Sequence, residues 1–239
     1  MPEQEPPLVW AREPRVPRRR GPSIEHIVAA AVAIADSEEL QAVSMRRVAA
    51  DLSSGTASLY RYVTSRDDLI DLMIDSVRGE VAPPSATGDW RADLAAHAWH
   101  LRATLLRHPW LGPEIAGRPA LGPNSLREQE GVLAAAAEFT SDIALATHIV
   151  DAVGAYVFGA TTRQLAEQRA HRRSGLSEGR WRETVAPYLL RVLSAGEHPH
   201  LSRRIAAAPD RSPDDHFTFG LTALLNGIAG GAAESGESR

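Results

Sequence analysis

Apolar residues first fall into register over Ile24, Ile27, Val28, Ala31, Ile34 and Ala35, which share one face of a helix. Pro22-Ser23 opens that helix, with Ser23 as its N-cap, and Asp36 to Val43 closes it. Val48, Ala49 and Leu52 then form the inner face of a second, short helix that Ser44 can cap. Ser53-Ser54-Gly55 breaks it. A third short helix runs from about Thr56 to Val63, with Leu59 and Val63 inward. Ser65-Arg66-Asp67-Asp68 fits a capping box, in which serine and the third-position acid satisfy each other's amides. It starts a fourth helix to about Val81, with Leu69, Leu72, Met73 and Ser76 on one face. Pro83-Pro84 through Gly88 is a breaker and marks a domain boundary or hinge.

Beyond residue 88 every long periodic stretch is helical. The pattern predicts helices at 89–108, 110–116, 123–139, 141–172, 179–195 and 213–233. The joints HPWLGP, GRPALGP, GEHPH and APDRSP carry proline and glycine. No strand alternation and no internal repeat occurs, so the fold class is all-α.

The two short helices carry an unusual polar side. Helices of seven or eight residues are marginal alone and need neighbours. The first and fourth helices can supply an apolar cradle, which makes the short pair a helix-turn-helix. Its second helix presents Thr56, Ala57, Ser58, Tyr60, Arg61 and Tyr62 outward. Hydroxyls can bond base edges or phosphates, and Ala57 can touch a thymine methyl in a major groove. Tyr60, Tyr62 and Arg66 suit phosphates, which fix register rather than sequence. Ser44 and Arg46 would flank the groove, with Arg46 able to reach the paired acceptors of guanine. Spacing alone is equally met by an amphipathic hairpin with a solvated polar face, or by a module that docks protein.

Residue identity separates these readings. SMRRVAADL, SSGTASLYRYV and TSRDDLI resemble the N-terminal signature of the TetR/AcrR family of bacterial transcriptional regulators over about residues 23–81. The resemblance implies an N-terminal three-helix helix-turn-helix DNA-binding domain at 23–81, preceded by an arm at 1–22. It also implies a larger helical ligand-binding and dimerisation domain at 82–239. Ser44, Arg46, Thr56, Ala57, Ser58, Tyr60, Arg61, Tyr62 and Arg66 fall at the family's DNA-contact positions. The turn departs from the family pattern, which has glycine and then a buried aliphatic residue where this chain has Ser53-Ser54. A non-glycine residue in a left-handed turn costs on the order of 1 kcal/mol.

Charge changes the picture locally. Net charge is −4, and residues 23–81 hold five arginines against ten acids. The arm holds Arg12, Arg15, Arg18, Arg19 and Arg20 against Glu13 over residues 12–22, and six of the sixteen prolines. It reads as a disordered or polyproline-like leader, whose Arg18, Arg19 and Arg20 can enter a minor groove. All 26 basic residues are arginine, and no functional weight attaches to that. The absence of cysteine excludes disulfides, thiolate metal sites and cysteine nucleophiles. No uninterrupted apolar run of about 18 residues and no signal-peptide core occurs, so a cytoplasmic protein without a membrane partner is expected.

The second domain carries weaker signals. Ile149, Val150, Val153, Val157 and Phe158 form one stripe, and Phe217, Leu221, Leu224, Leu225 and Ile228 another. Helices 141–172 and 213–233 from two copies would build an intersubunit four-helix bundle, unless both stripes face the monomer core. The recognition helices of such a homodimer should sit roughly 34–36 Å apart. Trp99, His100, Leu105, Trp110, Ile115, His148, Tyr156 and Phe158 are candidates to line a pocket for a small organic effector, though each taken singly fits plain core better. Ala82 stands where the tetracycline-responsive members have a drug-binding histidine, which argues against tetracycline–magnesium. His97 and His100, and His198-Pro-His200, lack a third ligand at metal spacing, so neither metal nor cofactor is expected. No nucleophile–base pair, phosphate loop or carboxylate dyad stands out, so an enzyme is the rival class rather than the reading. The expected function is a ligand-responsive regulator, a repressor released from a palindromic double-stranded operator.

Overall fold

The computed structural model describes residues 8–11, 22–83, 85–116, 120–194, 196–207 and 211–236. Among these, helices are the only regular elements. The cluster Arg18, Arg19 and Arg20 lies outside the described residues.

Helix α1 (Ile24–Glu38) is capped by Ser23, whose Oγ accepts the His26 amide, and buries Ile27, Val28, Ala31, Ile34 and Ala35. It ends within the closing segment expected at Asp36 to Val43, where Glu39 takes a positive φ of 72° and Leu40–Ala42 forms a separate 3-10 turn. Helices α2 (Met45–Asp51) and α3 (Thr56–Leu59) follow, then α4 (Arg66–Arg78). Ser65 Oγ accepts the Asp68 amide as expected, but Asp68 returns its bond to Thr64, one residue further back than a capping box places it. α1 packs on α4 and α2, and α2 on α3. The fully buried Val48, Leu59, Val63, Leu69 and Met73 form the shared core of these four helices.

Helices α5 (Trp90–Arg107), α6 (Leu111–Ile115) and α7 (Pro123–Ala137) continue the chain, with α7 packed on both α4 and α5. The compact unit that contains α1 to α7 runs through Ala155, well past the break at 83–88. That break is itself tied down. Asp93 accepts both the backbone and hydroxyl of Thr87 and the Gly88 amide, while Asp89 caps α5. Part of the N-terminal arm is ordered too: Val9–Ala11 forms a 3-10 turn against α4.

A second unit spans Tyr156–Arg239 and holds the C-terminal part of α8 (Ile143–Ser174), with α9 (Glu178–Leu193), α10 (Pro199–Ala207) and α11 (Pro213–Gly236). Tyr156 lies on Phe217 with ring centroids 5.4 Å apart, and its hydroxyl donates to the Phe217 carbonyl at 2.8 Å. Gly220 makes room for that ring: a Cβ there would stand 2.4 Å from the tyrosine oxygen. α10 falls where the sequence suggests only a joint. α8 is long and apolar enough by length and composition to cross a membrane, with mean hydropathy 1.5 over its most apolar window.

The apolar stripes of α8 and α11 are largely covered within the chain. Ile149, Val153 and Val157 are buried, as are Phe217, Leu221 and Leu225, while Val150, Phe158, Leu224 and Ile228 are half-buried. A 3.6-residue period identifies a covered face but not what covers it. The open faces carry small residues, Ala144, Ala152 and Ala155 on α8 and Thr222, Ala223, Asn226 and Gly227 on α11, beside the exposed Ile143, Leu145 and Phe219.

Candidate DNA-reading face and the joint behind it

The turn between α2 and α3 closes as a Schellman motif. The Ser54 amide reaches the Ala49 carbonyl at 2.9 Å and the Ser53 amide the Ala50 carbonyl at 3.1 Å. That motif needs a left-handed residue, and Ser53 supplies it at φ 48°. The apolar contact that usually accompanies the motif is replaced by hydroxyls. Ser54 Oγ lies 2.7 Å from Ser58 Oγ, which donates to the Gly55 carbonyl at 2.6 Å. One turn of regular helix follows, and Tyr60-Arg61-Tyr62 continue it as hydrogen-bonded turn to Val63, whose amide reaches the Leu59 carbonyl.

The predicted contact residues divide into three groups. Ser44, Arg46, Ala57, Tyr60 and Arg61 are exposed, Tyr60 by 49%. Ser44 also caps α2 by accepting the Arg47 amide, and Arg46 has no ion-pair partner among the described residues. Thr56 and Tyr62 are half-buried at the rim. Ser58 and Arg66 do other work. The single Ser58 proton is committed to the turn, and the Arg66 guanidinium donates to the carbonyls of Val43 at 3.3 Å and Leu40 at 3.1 Å. Arg66 therefore anchors the approach to α2 from the start of α4 with two of its five N–H donors, while the residue itself is exposed. Arg47, the neighbour of Arg46, is neutralised by Glu38 at 2.7 Å and Asp51 at 3.5 Å.

Behind this face two polar fastenings join the reading head to α5–α7. In the first, Asp75 of α4 lies over the start of α7, where Gly122 offers no side chain to cap the helix. Its carboxylate accepts the Ser125 amide at 2.9 Å and the Asn124 amide group at 3.1 Å. A negative charge there satisfies orphan amides and meets the positive end of the helix dipole. Gly122 must be glycine, because a Cβ would stand 2.2 Å from the Asp75 carboxylate. One turn on, Arg78 pairs with the buried Glu128. Nearby His97 is held below the ordinary imidazole range by burial; Glu128 opposes that shift, His100 adds to it and Asp93 opposes it.

The second fastening centres on His108, between α5 and α6. Its Nδ1 lies 2.9 Å from Asp36 of α1, and its Nε2 lies 3.1 Å from Glu80, just past α4. The Trp110 indole also donates to Asp36, at 2.7 Å. Sequence reasoning misses Asp36, Asp75, Glu80, His108 and Glu128 as working residues. Their partners lie 28 to 74 residues away, and no local pattern announces such pairs. The segment HPWLGP is visible in sequence as a joint and as the place of the effector candidate Trp110, not as a fastening.

The expected effector residues are divided between the two units. Trp110 is buried at the joint, bonded to Asp36, and Leu105 is buried on α5. Trp99 stacks under the Arg102 guanidinium at 4.9 Å, while His100 and Ile115 are half-buried. His148 is exposed on α8. Tyr156 and Phe158 belong to the second unit, where the Tyr156 hydroxyl is taken by the α11 backbone. Among the described residues no cluster of three or more histidine and carboxylate side chains could hold a metal ion.

Comparison with known proteins agrees with this architecture. The sequence model of the tetracyclin repressor-like C-terminal domain matches residues 82–230. The HTH-type transcriptional repressor DrrR1 of Streptomyces coeruleorubidus is 40% identical over 227 residues, covering 92% of this chain and 83% of that one. An HTH-type transcriptional regulator of Saccharopolyspora erythraea is 36% identical, covering 95% and 93%. The crystal structure of apo ActR from Streptomyces coelicolor, 29% identical, superposes with a TM-score of 0.75 over 91% of this chain and 100% of that one. ActR has also been crystallised with actinorhodin (TM-score 0.72, 29% identity, 89% and 99% covered). Helix order, reading face and relatives converge: the chain belongs to the TetR family of transcriptional regulators.

Proposed function

We propose that this chain is a homodimeric repressor that reads a palindromic operator and leaves it when a small organic molecule binds. The observation that carries the reading is the open face of α2 and α3. Ser44, Arg46, Ala57, Tyr60 and Arg61 stand exposed on two short helices that pack on each other, with α2 held by α1 and α1 by α4. Arg46 is the cation best placed for a base edge, and Tyr60 for phosphate. The relatives named as repressors support the sign of regulation, and ActR with actinorhodin supports an organic effector. Dimerisation goes to the small-residue faces of α8 and α11 rather than to their buried stripes. Arg18, Arg19 and Arg20 add a minor-groove contact.

Selection of bound sequences from a random DNA pool tests this directly. An inverted repeat should emerge, and Arg46→Ala with Tyr60→Ala should reduce affinity for it to the level of scrambled duplex. Recovery of no common sequence would defeat the reading. The arm is tested by replacing Arg18, Arg19 and Arg20 with alanine, which spares the ordered turn at Val9–Ala11. The slope of log affinity against log salt should become shallower by about 0.9 for each phosphate the arm ceases to neutralise.

A further inference from the structure

Among the buried titratable groups, His108 is distinguished by facing a carboxylate at each ring nitrogen. Nδ1 is 2.9 Å from Asp36 and Nε2 is 3.1 Å from Glu80, with the side chain only 3% exposed. A neutral imidazole has one N–H and one lone pair. It can donate to either carboxylate but must turn its lone pair on the other. Only the doubly protonated ring donates to both. The two sides are unequally held. Asp36 has a second donor in the buried Trp110 indole, whereas the further donor to Glu80 is the exposed Arg107, at 3.4 Å. A ring with one proton therefore keeps it on Nδ1, and the Glu80 side opens. The charged groups that face this ring are Asp36 from α1, Glu80 from the turn after α4 and, through Glu80, Arg107 of α5; α6 contributes the neutral Trp110.

We propose that His108 is a positioning residue for operator binding: clamped between Asp36 and Glu80 as an imidazolium, it fixes the reading head against the α5–α6 corner, and loss of its proton loosens the head. The clamp holds α1, on which α2 packs, and the end of α4, which itself packs on α1. A loosened head samples orientations that miss the groove, and affinity falls by the fraction still in register. The proposal rests on the operator reading above.

The test uses the full chain, the duplex recovered by selection and a scrambled duplex of equal length, at constant ionic strength. Across a pH series, wild-type affinity for the selected duplex should fall roughly 5-fold or more as pH rises. The scrambled duplex supplies the background pH dependence. Glu80→Gln is the decisive variant, because its amide can donate to the lone pair of a neutral ring. It should bind with a flattened pH profile. His108→Gln should bind more weakly at low pH and also lose the dependence. A residue that served folding alone would lower the melting temperature of His108→Gln without flattening Glu80→Gln. Superimposable wild-type and Glu80→Gln profiles, or affinity that rises with pH, would overturn the proposal. If the wild type fails to prefer the selected duplex, the operator reading falls, and melting across the same pH range reads the clamp without DNA. Loss of stability on deprotonation that disappears in Glu80→Gln supports the clamp; its persistence there overturns it.

Discussion

Ser53 shows how far single residues can be read in advance. Its place after α2 marks a helix stop, and the cost of a left-handed serine follows from the steric clash of its Cβ with the backbone. The structure places it at φ 48°. Ser53→Gly should remove that clash and stabilise the fold by about 0.5–1 kcal/mol, after subtracting the larger entropy glycine has when unfolded. Chemical denaturation should show the midpoint rising with an unchanged slope. Ser58 and Arg66 are less legible, since their types suit DNA and their partners depend on the fold. His97 carries a second residue-scale prediction. Burial lowers its pKa in the folded state below the ordinary imidazole range, so the unfolded chain binds the proton more readily. Stability from this source is complete above the unfolded pKa and declines as pH falls through it toward the folded value. Melting temperatures of His97→Gln should therefore fall less steeply than wild type between about pH 7 and pH 5. An equal slope in both proteins would show that other groups set the acid response.

At the scale of elements, periodicity locates most helices to within a few residues, because each long one buries a single face. The exceptions have physical causes. α10 begins at Pro199, and proline suits the first turn of a helix as well as a joint. Periodicity also cannot say which helix ends meet. The cap that Asp75 lends to α7 comes from another element, so an uncapped Gly122-Pro123 start looks weak in sequence and is firm in the fold. Asp75→Ala should cost about 2–3 kcal/mol, since it removes a charged acceptor and leaves the Ser125 amide buried without a partner. Asp75→Asn keeps one oxygen and should cost less. Hydrogen exchange should localise the loss to the first turn of α7 and the adjoining stretch of α4. Uniformly faster exchange across the chain would mean that Asp75 supports the core rather than this junction.

At the scale of the whole molecule, the proposed function depends on a second copy, and here the apolar pattern points to faces that the fold itself covers. Ile149, Val153 and Val157 of α8 and Phe217, Leu221 and Leu225 of α11 are buried within the chain, whereas Ile143, Leu145 and Phe219 stand exposed. Open on α11, beside Phe219, is a run of small side chains, Thr222, Ala223, Asn226 and Gly227, which lets helix backbones approach closely. Bulk on that face should separate the subunits while leaving the monomer core untouched. Ala223→Arg places a long charged side chain where the proposed interface has room for a methyl group, and burying it unpaired is strongly unfavourable. Sedimentation should show the wild type as a dimer and Ala223→Arg as a folded monomer. The linked consequence is on DNA. Two heads on one inverted repeat bind as a bivalent unit, so the monomer should lose roughly 10²- to 10⁴-fold in affinity for the full site. Its affinity for an isolated half-site should match that of the wild type, because Ser44, Arg46, Ala57, Tyr60 and Arg61 lie on a unit that the substitution does not touch. A monomeric variant that still bound the full site as tightly as wild type would mean that each head acts alone, and the palindrome would lose its physical basis.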